Sequence, residues 1–312
     1  MTPPSGRLQV DSPPRAQLSP RTARILDRSV IGAAVVLGLV GVFVLLFHLL
    51  TDPLVDIHAY YDAATRLNAG LPLYAGQGSV DNPEFYRYPP LLAIAFRPLA
   101  LLPFMAAALI WEAITIAAFV ATIWLLGFRR RRTWIALGIL AGPIAWSVTI
   151  GQAQVVVTLL LLMGNPAAVA LAAQLKLLPV LVAFYWIGRR DWRNLGRFVA
   201  WSVALVVVQL ILEPSNSLAF LGTANLGQVG DVNNLSPYAI SPVLWLVFAI
   251  AGLILTLRLA PTRAGWPAAI ALSVLATPRL LEYMLMTLLA TLRPSDPAGP
   301  RSSERSSDNG PS

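Results

Sequence analysis

One long polar stretch separates hydrophobic runs in the first half of the chain. It spans Asp52 to Pro90 and reads DPLVDIHAYYDAATRLNAGLPLYAGQGSVDNPEFYRYPP, with five acids, two arginines, one histidine and five tyrosines. In so apolar a chain these are the groups able to do chemistry in water. A carboxylate held at a membrane boundary can act as a general base, and Asp56 is the candidate. Asp52 lies nearer the preceding apolar run, and Asp62 falls six residues on, on another face of a 3.6-residue helix. Arginine forks match phosphate oxygens; Arg87, inside YRYPP, and Arg279, after Thr277 and Pro278, are the candidates. Lys176 stands in the middle of an apolar run, where an ionisable side chain is a functional hypothesis by default. Tyr60, Tyr88, Gln152 and Gln154 can stack on or hydrogen-bond a polar ligand.

Each of these residues also has an ordinary reading. Asp56 can be a helix N-cap. Arg279 and Arg87 can reach for lipid headgroups, and Lys176 can pair structurally with Glu112 or Glu282. The tyrosines fit an interfacial aromatic belt, and Gln152 and Gln154 can satisfy a helix end. His58 and His48 are too far apart in the pattern to suggest a metal pair. No phosphate-binding glycine loop, dinucleotide fingerprint or histidine-rich metal motif is present, so neither a metal nor a cofactor is expected.

The composition sets the class. The chain has 312 residues, 56% hydrophobic and 12% charged, against roughly 25% charged in soluble domains. With its long apolar runs it reads as a polytopic, all-α membrane protein. The net charge of +8 comes from arginines clustered between apolar spans, which are topology marks rather than a nucleic-acid surface. There are no cysteines, which excludes disulfides and thiolate chemistry.

The elements that must position these residues follow from the spacing. Residues 1–28 are Pro, Ser and Arg-rich and read as a disordered cytoplasmic tail; residues 293–312 read the same way. Ser29 to Leu50 is the first span, too long and too far in for a cleaved signal and so read as a retained anchor. The polar stretch then lies outside, carrying a short interfacial helix over Asp56–Ala69 that stops at Gly70. Pro89 and Pro90 open a second interfacial helix, interrupted at Arg97 and Pro98. Phe104 to Phe128 crosses inward to Arg129–Arg132, and Trp134 to Ile150 returns, placing Gly151–Gln154 outside. Val155–Met163 is short, and Ala167–Ile187 reads as two half-length helices meeting at Lys176. Gly196–Leu212, Pro242–Leu257, Trp266–Ala276 and Leu280–Leu292 complete about ten membrane segments within residues 29–292, each arginine cluster inside.

The ordered set VDIHAYYDAA, GLPLY, YRYPP, PLALLP, the GQ turn, QLKLLPVLVAFYWIGRRDWR and TPRLLEYMLM resembles glycosyltransferase family 87 over about Val55 to Leu289. That resemblance implies a GT-C-type multi-helix bundle on the plasma membrane with its active site on the external face. It further implies a polyprenyl phosphate sugar donor and a lipid-linked or glycan acceptor. On this reading Asp56 is the catalytic acid of the first external loop, in an inverting mannosyl transfer. Arg279, Lys176 and Arg87 hold the donor phosphate, and Tyr60, Tyr88, Gln152 and Gln154 meet sugar or acceptor. Two departures stand out: Gln154 replaces the frequent Asn that closes the GQ turn, and Glu282 and Tyr283 follow Arg279 where many members carry a His. The rival readings are a lipid-linked sugar flippase, which would show inverted repeats, and a non-catalytic member of the family.

Overall fold

The computed structural model describes residues 19–74, 79–82, 85–223, 229–230 and 232–293, and among them every regular element is helical. Helix α1 is Pro20–Thr51, capped by Ser19, whose hydroxyl accepts from the Thr22 N–H. Residues 20–28 are therefore helical, a correction to the expected tail; residues 1–18 and 294–312 lie outside the described residues. Helix α2 is Val55–Asn68. Its N-cap is Leu54, in the left-handed region at φ 62°, so Asp56 sits inside the first turn and does not cap the helix. Gly70, at φ +68°, follows the last turn as the left-handed residue that stops it. Helix α3 is Pro90–Phe96, followed by a 3-10 turn at Leu99–Leu101.

Helix α4, Phe104–Leu126, runs straight toward the four-arginine cluster. The single helix expected over Trp134–Ile150 is two, α5 (Arg131–Ile139) and α6 (Ala141–Thr149), broken at Leu140. Pro143 explains the break, because it has no N–H to give Ile139 and its ring crowds that carbonyl. Helices α7 (Gln154–Met163) and α8 (Pro166–Leu175) follow. The chain then opens at Lys176, extended at φ −145°, ψ 123°, before a 3-10 turn at Leu178–Val182 and α9, Ala183–Arg189. The break expected at Lys176 is present. Helix α10 is Trp192–Leu212, and α11, Pro214–Thr223, occupies part of the expected loop. Helices α12 (Pro242–Leu259) and α13 (Gly265–Leu275) and a 3-10 helix, Glu282–Leu292, end the bundle.

Among the described residues four helices, α1, α4, α10 and α12, are long and apolar enough to cross a membrane. At 1.5 Å per residue the 23 residues of α4 reach about 35 Å. Five further apolar helical segments among the described residues run 10–17 residues, and α3 and α6 are shorter still. The long helices carry large hydrophobic side chains on their outer faces, among them Leu39, Phe43, Trp124, Ile211 and Val243. Such an apolar exterior suits lipid rather than water.

Polar contacts sort the two ends of the bundle. At one end Arg131 bonds Asp27 of α1 at 2.6 Å, beside the Arg129–Arg132 cluster. At the other, Arg97 pairs with Glu213 at the end of α10 at 2.9 Å, and Tyr61 Oη donates to the Leu102 carbonyl at the start of α4. Helix α2 packs against α3, the Leu99–Leu101 turn and α4. Its buried side chains Ile57, Tyr60, Ala64 and Leu67 recur at three and four residues, so one face packs inward and Asp62 points out. Side-chain amides pin the neighbouring segments: Gln209 Oε1 accepts from the Leu91 N–H, and Asn216 Oδ1 from the Leu73 N–H.

Candidate active site

The acid side is built where α2 meets the turn between α6 and α7. The Leu54 and Asp56 amides donate to the Thr149 and Ile150 carbonyls at 2.9 and 3.1 Å, which ties the start of α2 to the end of α6. Gly151 is required at the next position. It has φ +70°, and a Cβ there would stand 2.4 Å from the Ile57 side chain. Trp111 Nε1 donates to its carbonyl at 2.7 Å. This turn drives Gln152 inward until it is fully buried. There its side-chain amide N–H donates to Asp56 Oδ2. Its oxygen accepts from the Tyr60 hydroxyl at 2.7 Å and, in a longer contact of 3.4 Å, from that of Tyr88. The Tyr60 oxygen in turn accepts from the Ala153 N–H at 3.1 Å.

The cation side is built differently. Lys176 leaves the end of α8 where the helix breaks, and its ammonium lies 5.5 Å from the Tyr88 ring centre and 4.9 Å from that of Tyr283. Its Nζ is buried and has no hydrogen-bond partner. Arg279 pairs with Asp81 at 3.0 Å and donates to the Val80 carbonyl at 2.7 Å, while its Nε is buried without a partner. Arg87 donates to the same Val80 carbonyl at 2.6 Å.

Both sides face one cavity of about 560 Å³. Asp56, Arg87, Tyr88, Gln154, Lys176 and Arg279 all line it, and Val157, Leu161, Val274 and Met284 give it an apolar flank. Six of the eight residues singled out from sequence therefore share a single space. Tyr60 and Gln152 do not line it; they stand behind Asp56, buried. Gln154 donates to the Thr287 hydroxyl, and its buried Oε1 has no partner. Neither acid weighed as a partner for Lys176 is bonded to it: Glu112 accepts from the Thr115 hydroxyl, and Glu282 is exposed. His58 stacks on Phe104 at 3.9 Å between ring centres, a packing contact.

Three further charged or phenolic residues of this space were given no role from sequence, Asp52 having been weighed only as a rival to Asp56. Tyr283 flanks Lys176, Asp81 binds Arg279, and Asp52, held by His48 at 2.8 Å, lines the cavity beside Asp56. Only Asp52 carried a local signal, its place at the end of the first span. Burial pushes the Asp56 carboxyl up to about 7, against the opposing pull of Lys176 and Arg87. Burial, then the nearby Asp56 charge, also raises the Tyr88 phenol. Among the described residues no three His, Asp or Glu side chains cluster as metal ligands.

Comparison with known proteins finds relatives of this chain. A polyprenol-phosphate-mannose-dependent alpha-(1-2)-phosphatidylinositol pentamannoside mannosyltransferase of Mycolicibacterium smegmatis is 30% identical over 206 residues, 60% of this chain and 49% of that protein. Its namesake in Mycobacterium tuberculosis is 27% identical over 203 residues, 58% of this chain and 47% of that protein. The chain thus spans about half the length of the curated relatives it matches. No solved structure matches it. The family profile covers residues 85–292, which takes in Arg87, Tyr88, Gln152, Gln154, Lys176 and Arg279 and begins after Tyr60 and Asp56. With two thirds of its length matched in this way, the chain belongs to glycosyltransferase family 87.

Proposed function

We propose that this protein transfers a hexose, mannose by analogy with its relatives' names, from a polyprenyl phosphate donor to a hydroxyl of a lipid-linked or glycan acceptor. The observation that carries the reading is the shared cavity: one carboxylate with a raised affinity for protons faces a buried ammonium and two guanidinium groups, beside an apolar flank. In the proposed step Asp56 takes the proton of the acceptor hydroxyl, and that oxygen attacks the anomeric carbon. The bond from the anomeric carbon to phosphate breaks, and polyprenyl phosphate leaves with the electron pair. Attack from the face opposite the leaving group inverts the anomeric centre. Lys176, Arg87 and Arg279 hold the phosphate oxygens, and the polyprenyl chain leads off along Val157, Leu161 and Met284. Tyr88 and Gln154, both on the cavity wall, meet sugar or acceptor.

The orientation belongs to the same proposal. Helices α1 and α12 meet the site at one end, through Asp52 and Trp245, and carry arginines toward the other, Arg28 and Arg258, while α4 runs into Arg129–Arg132. Since arginines mark the cytoplasmic side, the site faces outward at the plasma membrane. Helices α2 and α3 lie at the interface. Half-length helices, such as α5 with α6 or α8 with α9, join to supply the remaining membrane segments of about ten.

The test is transfer from labelled polyprenyl phosphomannose by purified protein. A general base works ionised, so kcat/KM rises with pH through the raised Asp56 value near 7. Asp56→Asn loses that limb along with turnover. Wild-type turnover by this variant would rule out the base assignment. Sugar movement across vesicles without any transfer product would instead favour the flippase.

A further inference from the structure

Gln152 and Tyr60 occupy an unusual place for residues expected to meet a sugar. Both are fully buried, and both lie behind the acid with no face on the cavity. Their hydrogen bonds have a definite direction. The Ala153 N–H has only a proton to give, so the Tyr60 oxygen accepts there and directs its own proton elsewhere. The recipient is Gln152, 2.7 Å away, which must present its oxygen. The amide is thereby turned so that its nitrogen points at Asp56 Oδ2. The second phenol, of Tyr88, reaches the same amide oxygen from the cavity side. Main-chain amide, phenol and carboxamide thus donate in sequence, and the carboxylate is the final acceptor.

We infer that Tyr60 and Gln152 are positioning residues, which act through Asp56 by holding one carboxylate oxygen so that the other is aimed at the acceptor hydroxyl. This rests on the base assignment proposed above and goes beyond it. The turn at Gly151 is the means: only its left-handed backbone and absent side chain bring residue 152 under α2. The two residues are 92 positions apart in the chain, and each satisfies a buried polar group of the other. A donated hydrogen bond favours the ionised carboxylate, so the arrangement also keeps Asp56 a usable base in a buried setting. The other titratable groups facing Asp56 are Asp52 at the end of α1, Arg87 and Tyr88 of the following loop, Lys176 after α8, and Tyr283.

The experiment compares Gln152→Leu, Gln152→Glu and Tyr60→Phe in the full-length, detergent-purified protein, using polyprenyl phosphomannose and a fixed acceptor. The Leu variant removes the donor, so kcat is expected to fall by ~10–100-fold with donor KM within about twofold, and the acidic limb of kcat/KM to move to higher pH. Gln152→Glu keeps the volume but sets a second carboxyl against Asp56, and moves the limb further the same way. Tyr60→Phe leaves the amide free to turn and gives the smallest shift, in the same direction. An unmoved limb with a raised donor or acceptor KM overturns the inference and makes Gln152 a ligand of substrate. If Gln152→Leu elutes as aggregate, the Glu and Phe variants decide. An inactive Asp56→Asn beside unmoved Gln152 and Tyr60 limbs sinks this inference alone; a fully active one sinks the base assignment and this with it.

Discussion

The two sides of the cavity are finished to different degrees. On the acid side the Asp56, Gln152 and Tyr60 side chains bond one another, and Ala153 closes the set from the main chain. On the cation side Lys176 Nζ and Arg279 Nε are buried without hydrogen bonds, and two tyrosine rings are the nearest company of the ammonium. An unpaired charge out of water costs several kcal/mol in general, whereas a satisfied network stiffens its surroundings. The acid side is thus arranged for geometry in advance. The cation side keeps bonding capacity that the protein's own groups do not use, as suits an anionic substrate.

Substitutions can break that contrast, starting with the largest effect. Asp56→Asn is expected to reduce turnover by ~10²–10⁴-fold, the range for losing a general base, as measured by product formation from labelled donor. Lys176→Met comes next. It keeps the length of the side chain but removes the ammonium, so donor KM should rise by ~10–100-fold, the equivalent of one strong charge-assisted bond. The same variant should raise the unfolding temperature, because it removes an unpartnered buried charge. Gln152→Leu, on the satisfied side, should lower it. Equal losses of stability on both sides would erase the distinction drawn here.

Arg279 sharpens the comparison, since it is only partly free. Asp81 and the Val80 carbonyl already occupy its two terminal nitrogens. Arg279→Gln should therefore raise donor KM less than Lys176→Met does. Asp81→Asn should tighten donor binding by ~2–5-fold, because a partly exposed ion pair holds its arginine by only about 1 kcal/mol. Weaker binding in that variant would mean that Asp81 serves to aim Arg279 and does not compete for it. Donor KM from titrated initial rates decides both cases.

Much of the bundle was legible in local pattern. The helix stop at Gly70, the break at Lys176 ahead of Pro179, and the run of α4 into four arginines all follow from residue type and spacing. The misread elements have local causes that weigh differently in the fold. Pro143 divides α5 from α6, Ser19 caps α1 well before its apolar run starts, and Leu54 rather than Asp56 precedes α2. For the site, residue type, place in the chain and family resemblance picked out six of the cavity-lining groups. It did not separate those that touch the cavity from those behind it, because burial of a tyrosine or glutamine is set by what packs on it.

The sequence by itself determined an all-helical membrane chain, the end of the bundle where polar groups gather, and the acid and cations gathered there. These are matters of composition and of periods a few residues long. Only the tertiary structure decided that Gln152 meets Asp56, that Tyr283 flanks Lys176 and that Asp81 holds Arg279. Those partners are separated by roughly a hundred residues or more in the chain, and no local period records a contact made by helices closing on one another. The physical reason lies in packing: a left-handed glycine and a broken helix set where the chain turns, and the turns choose which side chains meet.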